Sequence, residues 1–433
     1  MSYEQFLARK QARVEKPGRI VNATDVHPML HDWQNELVRW AVRTGRAALW
    51  ADTGMGKTVM QLEWARLSKG GGQALVVAPL AVCQQTVREA AKLGIAARYV
   101  REYGDLDLFS DELYVTNYER LQGFPAGAFD AVVLDESSIL KQSTGATRTM
   151  LIDWAAEVPH RLACSATPAP NDPEELTNQA EWLGRMSRTH MLAAYFIHDN
   201  DGWRLKGHAR APMMRWMAQW AVALTRPSDV GGDDTGYILP GLEVVPEIVQ
   251  AEVEAEGQLF ATDIGGVTGR AQMRRKTLNA RVDRAAKLVA NRPGPWILWC
   301  GLNSEADALA AAIPGAVNVH GALDPDDKAR MLLGFADGDY DVLITKPSIA
   351  SQGLNYQHCH RMAFVGLGDS YEQYYQAIRR CYRYGQTEVV QAHVIVSDLE
   401  SQIAANVARK EHQANQITRE LVAEMKRVRE NAA

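Results

Sequence analysis

Residues 47–58 read AALWADTGMGKT, a short apolar run that breaks into a glycine-bearing turn and ends in a lysine and a threonine. Glycines let backbone N–H groups approach a phosphate, a lysine reaches the outer phosphates, and a hydroxyl serves Mg²⁺; Gly54, Gly56, Lys57 and Thr58 supply these parts in that order. The strict G-x-x-x-x-G-K-[ST] pattern puts glycine at position 51, where this chain has Ala51, so the match is to the looser A-x-x-G-x-G-K-T form. Context decides between a phosphate site and a plain turn. RAALWA (46–51) has strand character and VMQLEWARL (59–67) a helical pattern, so the order is strand, glycine loop, helix.

The alternation continues on both sides of this unit. QALVVA (73–78), ARYV (97–100), ELYVT (112–116), FDAVVLD (129–135) and HRLACS (160–165) read as strands, with helices over LAVCQQTVREAAKL (80–93) and near 147–156. Such an order indicates a parallel sheet covered on both faces, with ligands at the carboxyl ends of its strands. FDAVVLD ends in Asp135 and is followed by Glu136. At a strand end beside a phosphate loop, the first carboxylate suits a Mg²⁺ shell and the second a water that attacks the γ-phosphate.

Read in order, the segments HDWQ (31–34), ADTGMGKT (51–58), VVAPLAV (76–82), VTNYERL (115–121), VVLDESS (132–138), CSATPAPN (164–171), WILWCG (296–301), ITKPSIASQGLN (344–355) and QAIRRCYRYGQ (376–386) resemble the motifs of superfamily 2 helicases of the Swi/Snf-related type. More narrowly, the chain resembles the Swi/Snf-like DEAD/DEAH-box helicases of bacteriophages and prophages, and WRLKGHA (203–209) is similar to that subgroup. The resemblance spans about residues 28–400, and its last two motifs are the most specific. It implies an α/β fold of two RecA-like parallel-sheet lobes flanking an ATP cleft, with a helical insertion, and a DNA-stimulated ATPase that uses ATP and Mg²⁺. Carried onto this sequence, it places Gln34 on the adenine and Thr53, Gly54, Met55, Gly56, Lys57, Thr58 and Gly353 around the nucleotide. Thr58 and Asp135 would hold the metal, and Lys57, Glu136, Gln376, Arg380 and Arg383 would serve catalysis. Ser165, Ala166 and Thr167 would couple the two. Two departures stand out. Ser137 and Ser138 follow Glu136 where better-known forms end in histidine, so a hydroxyl or another group must make that residue's contact. Arg379 stands where chromatin remodellers have aspartate, which weakens analogy to remodelling.

From about residue 295 the strand–helix alternation restarts: WILWC (296–300), AVNVH (316–320), DVLIT (341–345), RMAFVG (361–366) and VVQAHVIV (389–396), with helices between them. This second sheet has no phosphate loop of its own. YEQYYQAIRRCYR (371–383) is predicted to be helical, which would put Arg380 and Arg383 on one face. A guanidinium there would stabilise charge on the transferred phosphoryl, worth on the order of 10³ in rate. Gln376, Gly385 and Gln386 complete the motif.

At 433 residues and 46% hydrophobic, the chain is long enough for two core-forming domains of about 150–200 residues each. The expected divisions are 1–229, an ATP-binding lobe with a helical insertion near 180–229; 230–293, an acidic then basic linker or helical region; 294–400, the second lobe; and 401–433, a C-terminal helix packed across the lobes. No apolar run of about 18 residues occurs and MSYEQFLARKQARVEKPGRI lacks a signal-peptide core, so a cytoplasmic protein without a membrane partner is expected. Five scattered cysteines fit neither a disulfide framework nor a zinc site, and His358-Cys359-His360 reads as a loop.

Charge is uneven. Residues 231–263 hold eight acidic and no basic residues, 270–292 eight basic and one acidic, and 185–226 seven basic and two acidic. Arg270, Arg274, Arg275 and Lys276, with Arg281 and Arg284 beyond them, are the candidates for DNA phosphates. FIHDNDGWRLKGHA (196–209) reads as two strands around a turn, and Trp203 is expected in the core rather than on a base; MMRWMAQWAVAL (213–224) reads as an amphipathic helix. An ATP-driven DNA motor is the leading function, with duplex or junction DNA expected over RNA. An ATP-gated clamp and an RNA helicase are the alternatives. No sequence-reading module is visible, so target choice is expected to come from a protein partner.

Overall fold

The computed structural model describes residues 14–141, 145–199, 202–250, 276–350, 355–366, 370–397, 409, 412 and 416–427. The chain divides into two compact units, Met1–Thr235 with His412–Ala433, and Gly236–Glu411.

In the first unit, β1 (Arg46–Ala51), β2 (Ala74–Ala78), β3 (Ala97–Tyr99), β4 (Leu113–Asn117), β5 (Ala131–Asp135), β6 (His160–Cys164) and a later strand, Ala221–Leu224, form a parallel sheet. Ala221–Leu224 is β9, and the order is β3-β4-β2-β5-β6-β1-β9. Central strands such as ALVVA and AVVLD carry apolar residues at successive positions because helices cover both faces. The register sets Asp135 level with Cys164, and Cys164 level with Leu49. Asp52, Glu136 and Ser165 therefore leave the sheet along one edge.

Two details differ from the sequence expectation. MMRWMAQWAVAL is not one helix: the helix Arg210–Met217 stops, and Ala221–Leu224 pairs with β1. The helical period belongs to MMRWM only, whereas AVAL is apolar on every face, as a strand buried on both sides requires. Trp220 fixes the switch by meeting Trp216 and Trp50 edge-on at 5.3 and 5.9 Å. FIHDNDGWRLKGHA does form a hairpin, β7 (Phe196–Asp199) and β8 (Gly202–Leu205), paired antiparallel. Trp203, however, is 37% exposed and not core. Among the described residues of that hairpin, only the first cross-strand pair, Phe196 opposite Leu205, reaches the apolar interior; Trp203 lies two residues further out.

Residues 416–427 are helical, and Ile417, Leu421 and Val422 join the first unit's core. Glu420 pairs with Arg210 at 2.5 Å. Ile403, Val407 and Val428 lie outside the described residues.

The second unit holds β10 (Leu242–Val249), β11 (Trp296–Trp299), β12 (Val317–Val319), β13 (Val342–Thr345), β14 (Arg361–Phe364) and β15 (Val390–Ser397). They form a second parallel sheet in the order β10-β15-β14-β11-β13-β12. Residues 242–249 and 278–291, read from the sequence as linker or helical region, are the edge strand of this sheet and a helix packed on it. Their opposite charges meet: Arg284 pairs with Glu247 at 2.6 Å, and Glu247 also accepts from His393 at 2.9 Å. Burial alone would raise the Glu247 carboxyl, but Arg284 and His393 override it and hold it below its ordinary range. An edge position also accommodates Pro246, which donates no ladder hydrogen bond.

No helix among the described residues is long and apolar enough to cross a membrane.

Candidate nucleotide site

The loop begins where β1 ends. Asp52 donates its N–H to the Leu224 carbonyl at 2.9 Å, and its carboxylate accepts from the Thr53 N–H at 2.6 Å. Gly54 and Gly56 have φ of 91° and 73°, and the helix Lys57–Ser68 starts directly after them. Gly56 is constrained twice, since a Cβ there would sit 2.4 Å from Nε2 of Gln34 in a backbone region that L side chains avoid. Gln34 is buried; its amide donates to the Met55 carbonyl at 3.1 Å and accepts from the His31 N–H at 3.0 Å. The residue assigned to the adenine thus also clamps the loop. We expect Gly56→Ala to cost about 1–2 kcal/mol in a denaturant titration through its left-handed backbone. Displacing the Gln34 bond should weaken ATP affinity about tenfold in a fluorescent-nucleotide titration. An alanine variant that matches the wild type in both would show that the loop does not depend on this close approach.

Lys57 donates from Nζ to the Ala51 and Asp52 carbonyls at 2.8 and 3.2 Å. Burial pushes its ammonium below the ordinary lysine range, while Glu136, Asp52 and Asp135 act in the opposite direction. Burial likewise raises the Asp135 carboxyl, with Lys57 opposing. A carboxylate desolvated in this way gains from a cation. Among the described residues no three His, Cys, Asp or Glu side chains converge to hold a metal. Thr58 and Asp135 offer two oxygen ligands, and that is the donor set that suits Mg²⁺, an ion usually held by one or two protein oxygens with phosphates and waters completing its shell.

Glu136 is the one non-glycine residue with positive φ among the described residues, at 62°. Such a conformation costs on the order of 1–3 kcal/mol and persists only where its surroundings enforce it. They do so here. Oε1 of Glu136 accepts from the Ser138 hydroxyl at 2.8 Å and from the Ser165 hydroxyl at 2.6 Å, and Ser165 Oγ in turn accepts from the Thr167 N–H at 3.0 Å. The Tyr118 hydroxyl donates to the Asp135 carbonyl and lies 3.5 Å from that of Glu136. Gln179 caps the Ser137 carbonyl at 2.9 Å. Ser138 and Ser165 thus both supply hydroxyls to the carboxylate, and of the two Ser138 stands where the better-known motif ends in histidine. Ala166 lies between Ser165 and Thr167 without a side-chain hydrogen-bonding group. Tyr118 had no assigned role; it sits in the quoted VTNYERL segment, but nothing local marks its reach to a residue 17 positions away.

In the second unit the expectation of one helix carrying both arginines fails. The helix ends at Ile378, and residues 379–383 turn back on themselves. The Arg380 N–H bonds to the Ala377 carbonyl and that of Arg383 to Cys381, while the Arg380 carbonyl accepts from the Tyr356 N–H at 2.9 Å. Gln386 locks this turn from within: its amide donates to the Cys359 and Cys381 carbonyls and accepts from the Thr387 and Glu388 N–H groups. Gly385, at φ 90°, leaves room for Gln357, whose Oε1 would lie 2.5 Å from a Cβ there. Arg380 donates from Nε to the Gln376 carbonyl at 3.2 Å, and burial lowers the Arg383 guanidinium below its ordinary range. Gly353 lies outside the described residues.

Of the DNA candidates, Arg270, Arg274 and Arg275 lie outside the described residues, and Lys276 is exposed. Arg281 is not a surface cation. It is fully buried and paired with Glu305 at 2.7 Å, and Arg284 is committed to Glu247.

Residues 32–176 match the DEAD/DEAH box helicase model, and residues 281–385 match the helicase conserved C-terminal domain. No curated protein matches the chain. Among solved structures, the Sulfolobus solfataricus SWI2/SNF2 ATPase core in complex with dsDNA matches with a TM-score of 0.45 and 15% identity, covering 92% of this chain and 95% of that one. With one matched domain in each unit, this chain carries the tandem RecA-like core of a superfamily 2 helicase and is an ATP hydrolase of the helicase/translocase kind.

Proposed function

We propose that the chain is a DNA-stimulated ATPase that tracks along duplex DNA through its phosphates. The observation that carries the catalytic part is Glu136, a carboxylate held in a left-handed turn at the sheet edge by two serine hydroxyls, in the electrostatic neighbourhood of Lys57. Lys57 exchanges its two carbonyl partners for the outer phosphates. Gln34 reads the adenine from the end of its helix, and Thr53, Gly54, Met55 and Gly56 present backbone around the phosphates. Glu136 takes the proton of the attacking water. Mg²⁺ held by Thr58 and Asp135 would neutralise phosphate charge. Arg380, Arg383 and Gln376 are the residues that the resemblance assigns to the transferred phosphoryl.

Coupling follows from one bond. Ser165 touches Glu136 directly and passes through Thr167 into the segment leading to the turn Pro173–Glu175. A shift of the carboxylate between nucleotide states is felt there at once. The choice of DNA over RNA rests on the forms of ITKPSIASQGLN and QAIRRCYRYGQ, which resemble those of the Swi/Snf relatives. Phosphate contacts fix position without reading bases, in keeping with target choice by a protein partner.

The test is ATP turnover with single-stranded DNA, duplex, forked DNA and RNA side by side, joined to displacement of a third strand from a triplex. Stimulation by duplex above the other three, with ATP-dependent triplex displacement, is the expected result. Equal stimulation by RNA would overturn the DNA assignment. Duplex stimulation without displacement would make the protein a clamp that uses hydrolysis for release.

A further inference from the structure

The hairpin β7–β8 has no part in the ATP site, yet its sequence and placement equip it for contact. Its base is anchored: Phe196 is 2% exposed, Leu205 packs on the first unit's core, Tyr195 stacks with Trp216 at 6.2 Å, and the Lys206 N–H bonds to the Tyr195 carbonyl at 2.9 Å. Further out, Trp203 and Ile197 are 37% and 45% exposed. Cross-strand pairs share a face, so His198 and Trp203 stand together on one side and Ile197 and Arg204 on the other. The His198 ring meets the indole edge-on at 4.9 Å and fixes its orientation.

Arg188, Arg210 and Arg226 of the basic segment 185–226 pair with Glu174, Glu420 and Asp229, whereas Arg204, the hairpin's own cation, is paired at the surface with Asp199 at 3.1 Å. An exposed pair of this kind exchanges readily for a phosphate. Position matters as well. β8 packs beside the turn Pro173–Glu175, the same turn that follows the Ser165–Thr167 segment in contact with Glu136. The Glu175 carboxylate accepts from the Asn171 N–H at 3.1 Å and its side-chain amide at 2.9 Å, tying the two together.

We propose that this hairpin is a stacking pin for DNA junctions: Trp203 takes the face of a base unpaired at the boundary between duplex and single strand, and Arg204 holds the adjoining phosphate. Every base has a π-face, so such a pin accepts any sequence. The proposal rests on the DNA-tracking reading given above and adds to it the structure at which tracking becomes strand separation.

The experiment compares wild type, Trp203→Ala and Trp203→Phe on a blunt duplex and on a fork with 2-aminopurine at the junction. Affinity for the fork, 2-aminopurine fluorescence and fork unwinding are followed, alongside duplex-stimulated ATP turnover. Trp203→Ala is expected to weaken fork affinity about 5- to 150-fold, the range for one lost aromatic–base stack. Fork unwinding should fall with it, and Trp203→Phe should retain most of both. Duplex-stimulated turnover should stay within about twofold, as for a surface change remote from the site. Equal loss on fork and blunt duplex, or no loss on the fork, would overturn the pin and leave the exposed indole as a contact for a protein. A wild-type ATPase indifferent to all DNA would overturn the tracking reading instead. Fork affinity that still fell in Trp203→Ala would in that case keep the pin.

Discussion

Glu136→Gln is expected to bind ATP as the wild type does and to turn it over about 10²- to 10⁴-fold more slowly, the usual contribution of a positioned general base. The substitution keeps the side chain's shape, and an amide oxygen still accepts from the hydroxyls of Ser138 and Ser165. Only the capacity to take a proton is lost. The backbone at φ 62° is a property of the turn, supported by Tyr118 on the preceding carbonyl, so the variant should unfold at nearly the wild-type denaturant concentration. Nucleotide affinity by titration and single-turnover hydrolysis measured together decide the matter. Turnover above about a tenth of wild type would remove Glu136 from the base's role, since general-base losses smaller than 10² are uncommon. Lost ATP binding would instead make it part of the loop's support.

Much of that site was legible in the sequence because its parts are local. A-x-x-G-x-G-K-T sits within eight residues, and the strand–loop–helix context that interprets it is adjacent. Asp135 and Glu136 were legible for the same reason, standing at the end of an apolar strand. What failed was set by distant partners. Arg380 and Arg383 continue the helical pattern of YEQYYQAI, but the Tyr356 N–H and the Gln386 amide bind the Arg380 and Cys381 carbonyls and hold the chain in a turn there instead of a helix. Trp203 was assigned to the core on the strength of its residue type. The hairpin's length, not its composition, carries it beyond the interior. The acidic and basic stretches looked like a linker and a DNA face because each was read alone, whereas Arg284 and Glu247, 37 residues apart, pair with each other.

A second pair formed from the basic stretch, Arg281 with Glu305, leads to the largest stability effect we expect. In Arg281→Ala, unfolding of the second unit should become easier by about 3–5 kcal/mol, the range for stranding one partner of a buried ion pair. Arg281 and Glu305 are both fully buried, the guanidinium also donates to the Thr277 hydroxyl at 3.2 Å and to the Val365 carbonyl, and Glu305 accepts from the Gly301 and Leu302 N–H groups at 2.8 and 2.9 Å. The pair therefore ties the helix Leu278–Asn291 to the helix Asn303–Ala312 and to the ends of β11 and β14. Removing the cation leaves a desolvated carboxylate whose remaining bonds were arranged around a neutral pair. A phosphate-contacting arginine behaves differently: its loss lowers the slope of log K against log salt by about 0.9 and barely affects folding. Denaturant unfolding and DNA titrations across a salt series, the latter at a temperature where Arg281→Ala remains folded, separate the two. A large stability loss with an unchanged salt slope is expected; an unchanged transition with a slope reduced by about one unit would return Arg281 to the DNA-contacting surface that the sequence alone suggested.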